Sequence, residues 1–280
     1  MQFKCNQKMQ IKGKSRISSW VEELQRRGRI TFSLQDALCQ FPSYTIPALR
    51  NALTRLVAKG KVVSVWKGFY AIIPIEYSSV GMIPPVLYID YLMAYLGRPY
   101  YISLYSAAVF YGAAHQRPQE FNVITSSGSL RASEKKDVRI NFNTVREINP
   151  DFILKKKTRT GYVNVSCPEL TATDLVRYEG EAGGMNRAAT VLNELAEHLQ
   201  FGKIPDSFFS YVSSPVMRRT GYLLDKVLDH PGPAEELYEQ IQKHGCSMRT
   251  TPLKTGMPAQ GYVTDRKWGI TVNTNIEIDE

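Results

Sequence analysis

Two carboxylates one residue apart on a strand face the same side and can clamp a divalent metal. With a Gly-Ser just ahead of them they form the signature of metal-dependent nucleotidyl transfer. The chain carries the first half of that pattern at Gly128-Ser129. The second half fails: the residue two beyond Asp137 is Arg139, a cation where the second metal ligand is required. His115, His198, His230 and His244 have no HxxxH or HExxH partner spacing and read as surface or structural residues. Neither GxSxG nor the Walker phosphate loop occurs. Gly183-Gly184-Met185-Asn186 is a Gly-rich turn ahead of a helix, able to present N–H groups to an anion or to serve as a plain connector. Cys5, Cys39, Cys167 and Cys246 have no CxxC spacing, which points to reduced thiols in a cytoplasmic protein and not to a disulfide framework or a zinc site. The residues therefore predict no catalytic group, no metal and no cofactor.

Charge is more informative. The 280 residues have a formal net charge of +9, with 43% hydrophobic and 22% charged residues, ordinary values for a globular chain apart from the charge. Residues 1–75 hold 13 Lys and Arg against 3 Asp and Glu, and the remaining 205 hold 22 against 23. The excess thus belongs to the first quarter, where it points to a polyanionic partner. The N-terminus lacks a signal-peptide core, and the densest apolar run, Ile102 to Ala114, is too short to span a membrane.

The elements that carry this charge are legible. Residues 1–14 form a basic arm with Lys12 and Lys14. From Ser15, with Arg16 at its start, a helix carries Ile17, Trp20, Val21 and Leu24 on one face. Ile30 to Phe32 is extended, Ser33 caps a second helix, and Phe41-Pro42-Ser43 ends it. Thr45 caps a third helix whose expected inward stripe is Ile46, Leu49, Leu53, Leu56 and Val57. Gly60 stops it, and two strands, Lys61–Val65 and Phe69–Ile73, flank Trp66-Lys67-Gly68. Three helices and a hairpin over residues 15–75 have the order of a winged helix-turn-helix. Its second helix-turn-helix element, here the Thr45–Lys59 helix, enters the major groove of double-stranded DNA. Arg50, Asn51, Thr54 and Arg55 would face the bases. Ser43 and Tyr44 would touch the backbone, and Lys59, Lys61 and Lys67 would meet phosphates, with Lys12, Lys14 and Arg16 adding contacts from the arm.

Residues 76–85 read as a linker and 86–280 as a second domain, helix-rich around a small mixed sheet. Expected helices include Val86–Leu96, Ser103–Ala113, Glu169–Tyr178, Asn186–Gln200, Pro215–Leu228 and Ala234–His244. Expected strands cover 120–125, 137–143, 152–157 and 161–166, with a late hairpin near Lys267–Ile278. Ser166-Cys167-Pro168-Glu169 has the form of a capping box. The basic run Lys155-Lys156-Lys157-Thr158-Arg159 is a solvated hairpin tip, a second phosphate contact or a meeting point for an acidic partner.

Gly68-Phe69-Tyr70, the block Tyr100-Tyr101-Ile102-Ser103-Leu104-Tyr105-Ser106-Ala107-Ala108, and Tyr111-Gly112-Ala113-Ala114-His115-Gln116 resemble the AbiEi antitoxins. So do Pro168-Glu169-Leu170-Thr171-Ala172-Thr173-Asp174-Leu175-Val176-Arg177-Tyr178 and Gly184-Met185-Asn186-Arg187. These are the antitoxin and regulator halves of bacterial AbiE-type, type IV toxin–antitoxin systems of abortive phage infection. The resemblance covers about residues 15–230. It implies a non-enzymatic cytoplasmic repressor that binds inverted repeats in its own promoter. It also implies a C-terminal antitoxin domain that counteracts a nucleotidyltransferase toxin without a stable complex. His115, Gln116, Arg177 and Tyr178 are the polar members of the two specific blocks, either functional or part of the domain's hydrogen-bonded interior. A degenerate nucleotidyltransferase in residues 86–280 and a protein-docking module built on the tyrosine-rich helices are the alternatives.

Overall fold

The computed structural model describes residues 16–114 and 120–278. The chain folds as mixed α/β. Its first part runs α1 (Ile17–Arg26), β1 (Thr31–Ser33), α2 (Leu34–Gln40), α3 (Ile46–Ala58), β2 (Val62–Trp66) and β3 (Phe69–Ile72). The three strands form a sheet of order β1-β3-β2. Local chemistry explains the boundaries. Ser33 makes a full capping box with Asp36, each side chain taking the other's backbone N–H, and Thr45 accepts from the Ala48 N–H. Trp20 meets Phe32 and Phe41 edge-on, and Phe32 stacks on Tyr70. Leu49, Leu53 and Leu56 of α3 join this core. The expected stripe was too wide: Ile46 is 46% and Val57 37% exposed. Ile46 opens the helix and Val57 closes it, so neither reaches the seam that the i, i+4, i+7 leucines make.

The β2–β3 hairpin is sandwiched. Val62 and Ile72 face the three helices, while Val63, Val65, Phe69, Ala71 and Ile73 face a second core shared with the rest of the chain. Burial on both faces is why the strands read as almost unbroken apolar runs. Met82 and Ile83, in the Pro- and Gly-rich connection, are buried in that same core. Ser133 donates to the Val65 carbonyl at 2.9 Å, and Trp66 meets Phe142 edge-on.

The second part contains α4 (Ile89–Leu96), β4 (Tyr100–Ile102), α5 (Leu104–Ala108), β5 (Glu120–Thr125), β6 (Ser133–Lys135) and β7 (Val138–Thr144). There follow β8 (Ile153–Thr158), β9 (Gly161–Ser166), α6 (Pro168–Arg177), α7 (Met185–Leu195), α8 (Phe208–Tyr211), α9 (Ser214–Tyr222) and α10 (Pro231–Lys243). A six-stranded mixed sheet has the order β6-β7-β5-β4-β9-β8. Its β5–β7 and β4–β9 pairs are parallel and the others antiparallel. Alternation splits the sheet between two cores. Ile102, Val123, Ile140 and Val165 face the hairpin side, and Tyr101 and Ile124 face the helices α5 to α10.

Several expectations are corrected. The segment after Arg98-Pro99 is a central strand, β4, which sequence reading passed over. The capping box at 166–169 does not form. Cys167 is the N-cap, its thiol accepting from the Leu170 N–H. Ser166 pairs with Thr171, and Glu169 turns away to accept from the Gln200 N–H. The late hairpin is replaced by a small sheet in which β12 (Ile270–Thr271) pairs parallel with β10 (Thr251–Pro252) and antiparallel with β11 (Thr264–Asp265). Two buried arginines of α9 hold this segment. Arg218 donates to the Trp268, Gly269 and Arg249 carbonyls, and Arg219 to that of Pro252.

Trp268 packs closely against Gly221, where an added Cβ would come within 2.0 Å of the indole. Gly221→Ala must displace the indole or the helix, so it is expected to lower stability by ~1–3 kcal/mol in chemical denaturation. An unchanged denaturation midpoint would contradict the packing.

Candidate nucleic-acid interface

Three segments position the predicted interface: the α3 helix, the turn before it and the hairpin tip. Arg50, Asn51, Thr54 and Arg55 all lie on the exposed side of α3, opposite the leucine seam. The Thr54 hydroxyl donates to the Arg50 carbonyl at 3.0 Å, which fixes its rotamer and leaves its oxygen free to accept. Ser43 and Tyr44 are exposed in the turn ahead of α3, with Tyr44 leaning edge-on against Phe41. Lys59 caps the end of α3, Lys61 follows it and Lys67 occupies the hairpin turn, all exposed. Arg16 is the exposed N-cap residue of α1. Lys12 and Lys14 lie outside the described residues.

The hairpin tip is held in place. The Tyr95 hydroxyl donates to the Lys67 carbonyl at 3.1 Å, and the Leu34 N–H donates to that of Gly68 at 2.8 Å. Gly68 has φ +76°, and an added Cβ would lie 2.9 Å from the Tyr95 oxygen, so glycine is required on both counts. The Lys67 side chain thus projects from a fixed backbone.

Charge pairing divides the basic residues into two sets. Glu23 pairs with Arg26 and Arg27, and Asp36 with Arg29. The Arg27 hydrogen bond holds the Glu23 carboxyl below its usual range. The remaining cations between residues 16 and 75 are Arg16, Arg50, Arg55, Lys59, Lys61 and Lys67, and none forms an ion pair with another described residue. Arg50 also lies near the Tyr70 hydroxyl: burial raises the Tyr70 pKa, and Arg50 opposes that rise. Sequence reading did not identify Tyr70 as a neighbour of the interface, because it belongs to the opposite strand of the hairpin.

The second predicted group lies elsewhere. His115 and Gln116 fall outside the described residues. Arg177 ends α6, exposed, with its guanidinium 5.2 Å from the centre of the Tyr178 ring. Tyr178 caps α6. Its hydroxyl is buried without a hydrogen-bond partner among the described residues, and burial, with the nearby Asp174, pushes its pKa up to about 12. The centre of this group is a residue not predicted as a site, Asp174. It is fully buried and accepts a hydrogen bond from the Tyr101 hydroxyl at 3.0 Å. Burial raises its pKa to about 7, although Tyr101 and Arg177 pull it down. A lone Asp in an amphipathic helix gives no local sign of burial, since Tyr101 lies 73 positions away. Tyr178 and Asp174 thus form a polar cluster at the end of α6, with the exposed Arg177 at its rim.

The Gly128-Ser129 turn is occupied: Arg98 donates to the Ser127 and Gly128 carbonyls at 2.7 and 2.6 Å. Asp137 sits in the β6–β7 turn, and Arg139 lies 3.8 Å from Glu120. Among the described residues no group of three His, Cys, Asp or Glu side chains is placed to hold a metal, and no helix is long and apolar enough to cross a membrane. On β8, Lys156 lies 4.7 Å from the centre of the Tyr111 ring, and in the turn after it Arg159 pairs with Glu76 at 2.5 Å.

The crystal structure of the RV2827C protein from Mycobacterium tuberculosis shares this fold. Its TM-score is 0.64 at 16% sequence identity, over 90% of this chain and 89% of that one. At that identity the likeness concerns fold alone. No protein of curated function matches the chain. The family model that does match is that of the AbiEi antitoxin C-terminal domain, a family of antitoxins and not a class of enzymes, and it covers β4 through the turns that follow α9. The match to the AbiEi antitoxin C-terminal domain family spans residues 101–226 of the 280.

Proposed function

We propose that this antitoxin is also a transcriptional autorepressor. Residues 15–75 would act as a winged helix-turn-helix on double-stranded DNA, joined through 76–85 to an antitoxin domain over 86–280. In this reading it acts in the cytoplasm on inverted repeats in its own promoter and counteracts a nucleotidyltransferase toxin without forming a stable complex with it. One observation carries the DNA-binding part. Acidic partners neutralise Arg26, Arg27 and Arg29, while the cations of α3, its end and the hairpin tip are exposed and form no ion pair with another described residue. An exposed helix face of Arg, Asn, Thr and Arg suits base edges in the major groove, where Arg pairs with guanine and Asn with adenine. Lys59, Lys61 and Lys67 flank it as phosphate contacts.

Fluorescence anisotropy with the protein's own promoter duplex and a shuffled duplex, over a salt series, tests this. The promoter is expected to bind ~10³-fold more tightly. The log–log salt slope is expected near −5, on the order of six phosphate contacts. Equal, weak binding of both duplexes would reduce the basic region to a general polyanion surface and defeat the repressor reading. For the antitoxin part, co-purification with the neighbouring toxin should recover no stoichiometric complex while toxicity is still suppressed. A stable complex would favour a docking module instead.

A further inference from the structure

The Gly128-Ser129 turn, without a metal-binding partner in the sequence, lies beside the hairpin tip. Contacts on both sides put it there. Near the end of α4 the Tyr95 hydroxyl donates to the Lys67 carbonyl, and the Tyr95 ring lies 5.2 Å from that of Phe69. Three residues on, Arg98 holds the Ser127 and Gly128 carbonyls. On the other side Ser133 of β6 donates to the Val65 carbonyl, and Trp66 meets Phe142 of β7. β2 and β6 are edge strands of their two sheets. They face each other across a groove of about 450 Å³ between residues 64–67 and 132–135. The hairpin is buried between two cores, so the loop and the tip keep their relative places.

The loop 126–132 is built for phosphate. It reads Ser-Ser-Gly-Ser-Leu-Arg-Ala, with no acidic residue. Ser127, Gly128, Ser129 and Arg131 are exposed. Ser127 and Gly128 have φ of +70° and +97°, and Arg98 ties down both carbonyls of this uncommon turn. The amides and hydroxyls of residues 127–129 make no hydrogen bond to another described residue. Arg131 forms no ion pair with a described residue. Neither does the exposed Lys135, which shares with Ser133 the face of β6 turned to the hairpin. Glu134 also borders the groove, but it stands in register with Arg139 of β7. Lys136, in the far turn, donates to the Val80 carbonyl at 3.4 Å.

We propose that the second domain itself grips double-stranded DNA, through Arg131, Lys135 and the donors of the 127–129 turn, on phosphates next to those that Lys67 meets. This rests on the winged-helix reading above. Duplex phosphates form a continuous line, about one charge per 1.7 Å of axis, so cations and free donors beside a phosphate-bound wing face further phosphates. Serine hydroxyls, backbone N–H groups and arginine are ordinary phosphate donors. Such contacts carry no sequence information. They lengthen the footprint and fix the orientation of residues 86–280 on the DNA.

Fluorescence anisotropy of the full chain with promoter and shuffled duplexes, over a salt series, tests this. Arg131→Ala is expected to weaken both duplexes alike and to reduce the magnitude of the log–log salt slope by about 0.9. Ser129→Glu sets a carboxylate against phosphate and is expected to weaken both by about tenfold or more. Lys203→Ala is the control for net charge. It removes an exposed cation from the turn beside α10, on the opposite face of the sheet, and should bind like the original. Thermal melts of the three variants report on folding. If Arg131→Ala and Ser129→Glu bind as Lys203→Ala does, the proposal is overturned, and Lys67→Ala then separates the two readings. A lower slope in Lys67→Ala leaves the winged helix standing without the loop, and an unchanged slope removes both. A loss in Arg131→Ala confined to the promoter duplex would place Arg131 on bases and also overturn the phosphate contact.

Discussion

Asp174→Asn is expected to stabilise the protein above neutral pH by ~4 kcal/mol relative to its effect near pH 4. Burial raises the Asp174 pKa from an ordinary 3.8 to about 7, while Tyr101 and Arg177 resist the rise. In the unfolded chain the carboxyl ionises near its ordinary value. Between about pH 4 and pH 7 the folded state therefore binds more protons than the unfolded state, and stability contributed by this group falls as pH rises. Below pH 4 both states are protonated and the burial of a neutral acid is tolerated. Above pH 7 both are ionised and the loss is complete. Asparagine keeps the shape and still accepts from the Tyr101 hydroxyl, but it cannot ionise. The difference in unfolding free energy between variant and original, measured by urea denaturation at several pH values, isolates this group from the other carboxylates. It should climb from pH 4 to pH 7 and then level off. A flat difference would mean that Asp174 ionises normally in the folded state and that Arg177 compensates its burial in full.

What could be read from the sequence tracks how local each cause is. The α3 helix, its Thr45 cap and the two strands after it follow from spacing within about 30 residues, and the structure places them as expected apart from Ile46 and Val57. β4 was not legible. It is three residues long, follows a Pro, and owes its existence to pairing with β5 on one side and β9 on the other. The Ser166 capping box failed in part for the same kind of reason: Glu169 has a long-range partner, Gln200, that a local motif cannot reveal, while Ser166 turns to Thr171 and the Ile102 carbonyl. Asp174 and Asn122 are the extreme cases. Each lies in an unremarkable local pattern, and only the tertiary fold makes one a buried acid and the other an orphaned amide lining a cleft. The charge asymmetry was legible because it is a sum over the chain. Its partition into paired and unpaired cations was not, because it depends on where Glu23 and Asp36 sit.

Arg50→Ala and Arg55→Ala are each expected to weaken promoter binding by ~1–3 kcal/mol and to flatten sequence preference, while random DNA loses only one phosphate-strength contact. Both side chains are exposed on α3, away from Leu49, Leu53 and Leu56, and neither takes part in an ion pair with a described residue. Their removal therefore leaves the fold intact, and the loss reads directly on the interface. Lys67→Ala provides the contrast. Its backbone is fixed by Tyr95, so its side chain projects from a defined point at the hairpin tip. A phosphate contact there should weaken promoter and random duplexes alike and reduce the magnitude of the salt slope by about 1. The three variants thus separate reading from docking on one protein, through competition between promoter and shuffled duplexes. If Arg50→Ala and Arg55→Ala leave the promoter-to-random ratio unchanged, α3 does not enter the groove by this face. The same result accompanied by a lower salt slope would turn the α3 arginines into phosphate contacts, because loss of a counterion-releasing charge changes the slope whichever sequence is bound. Specificity would then have to come from other side chains on or beside the helix, such as Ser43, Tyr44, Asn51 and Thr54, or from the shape of the DNA itself.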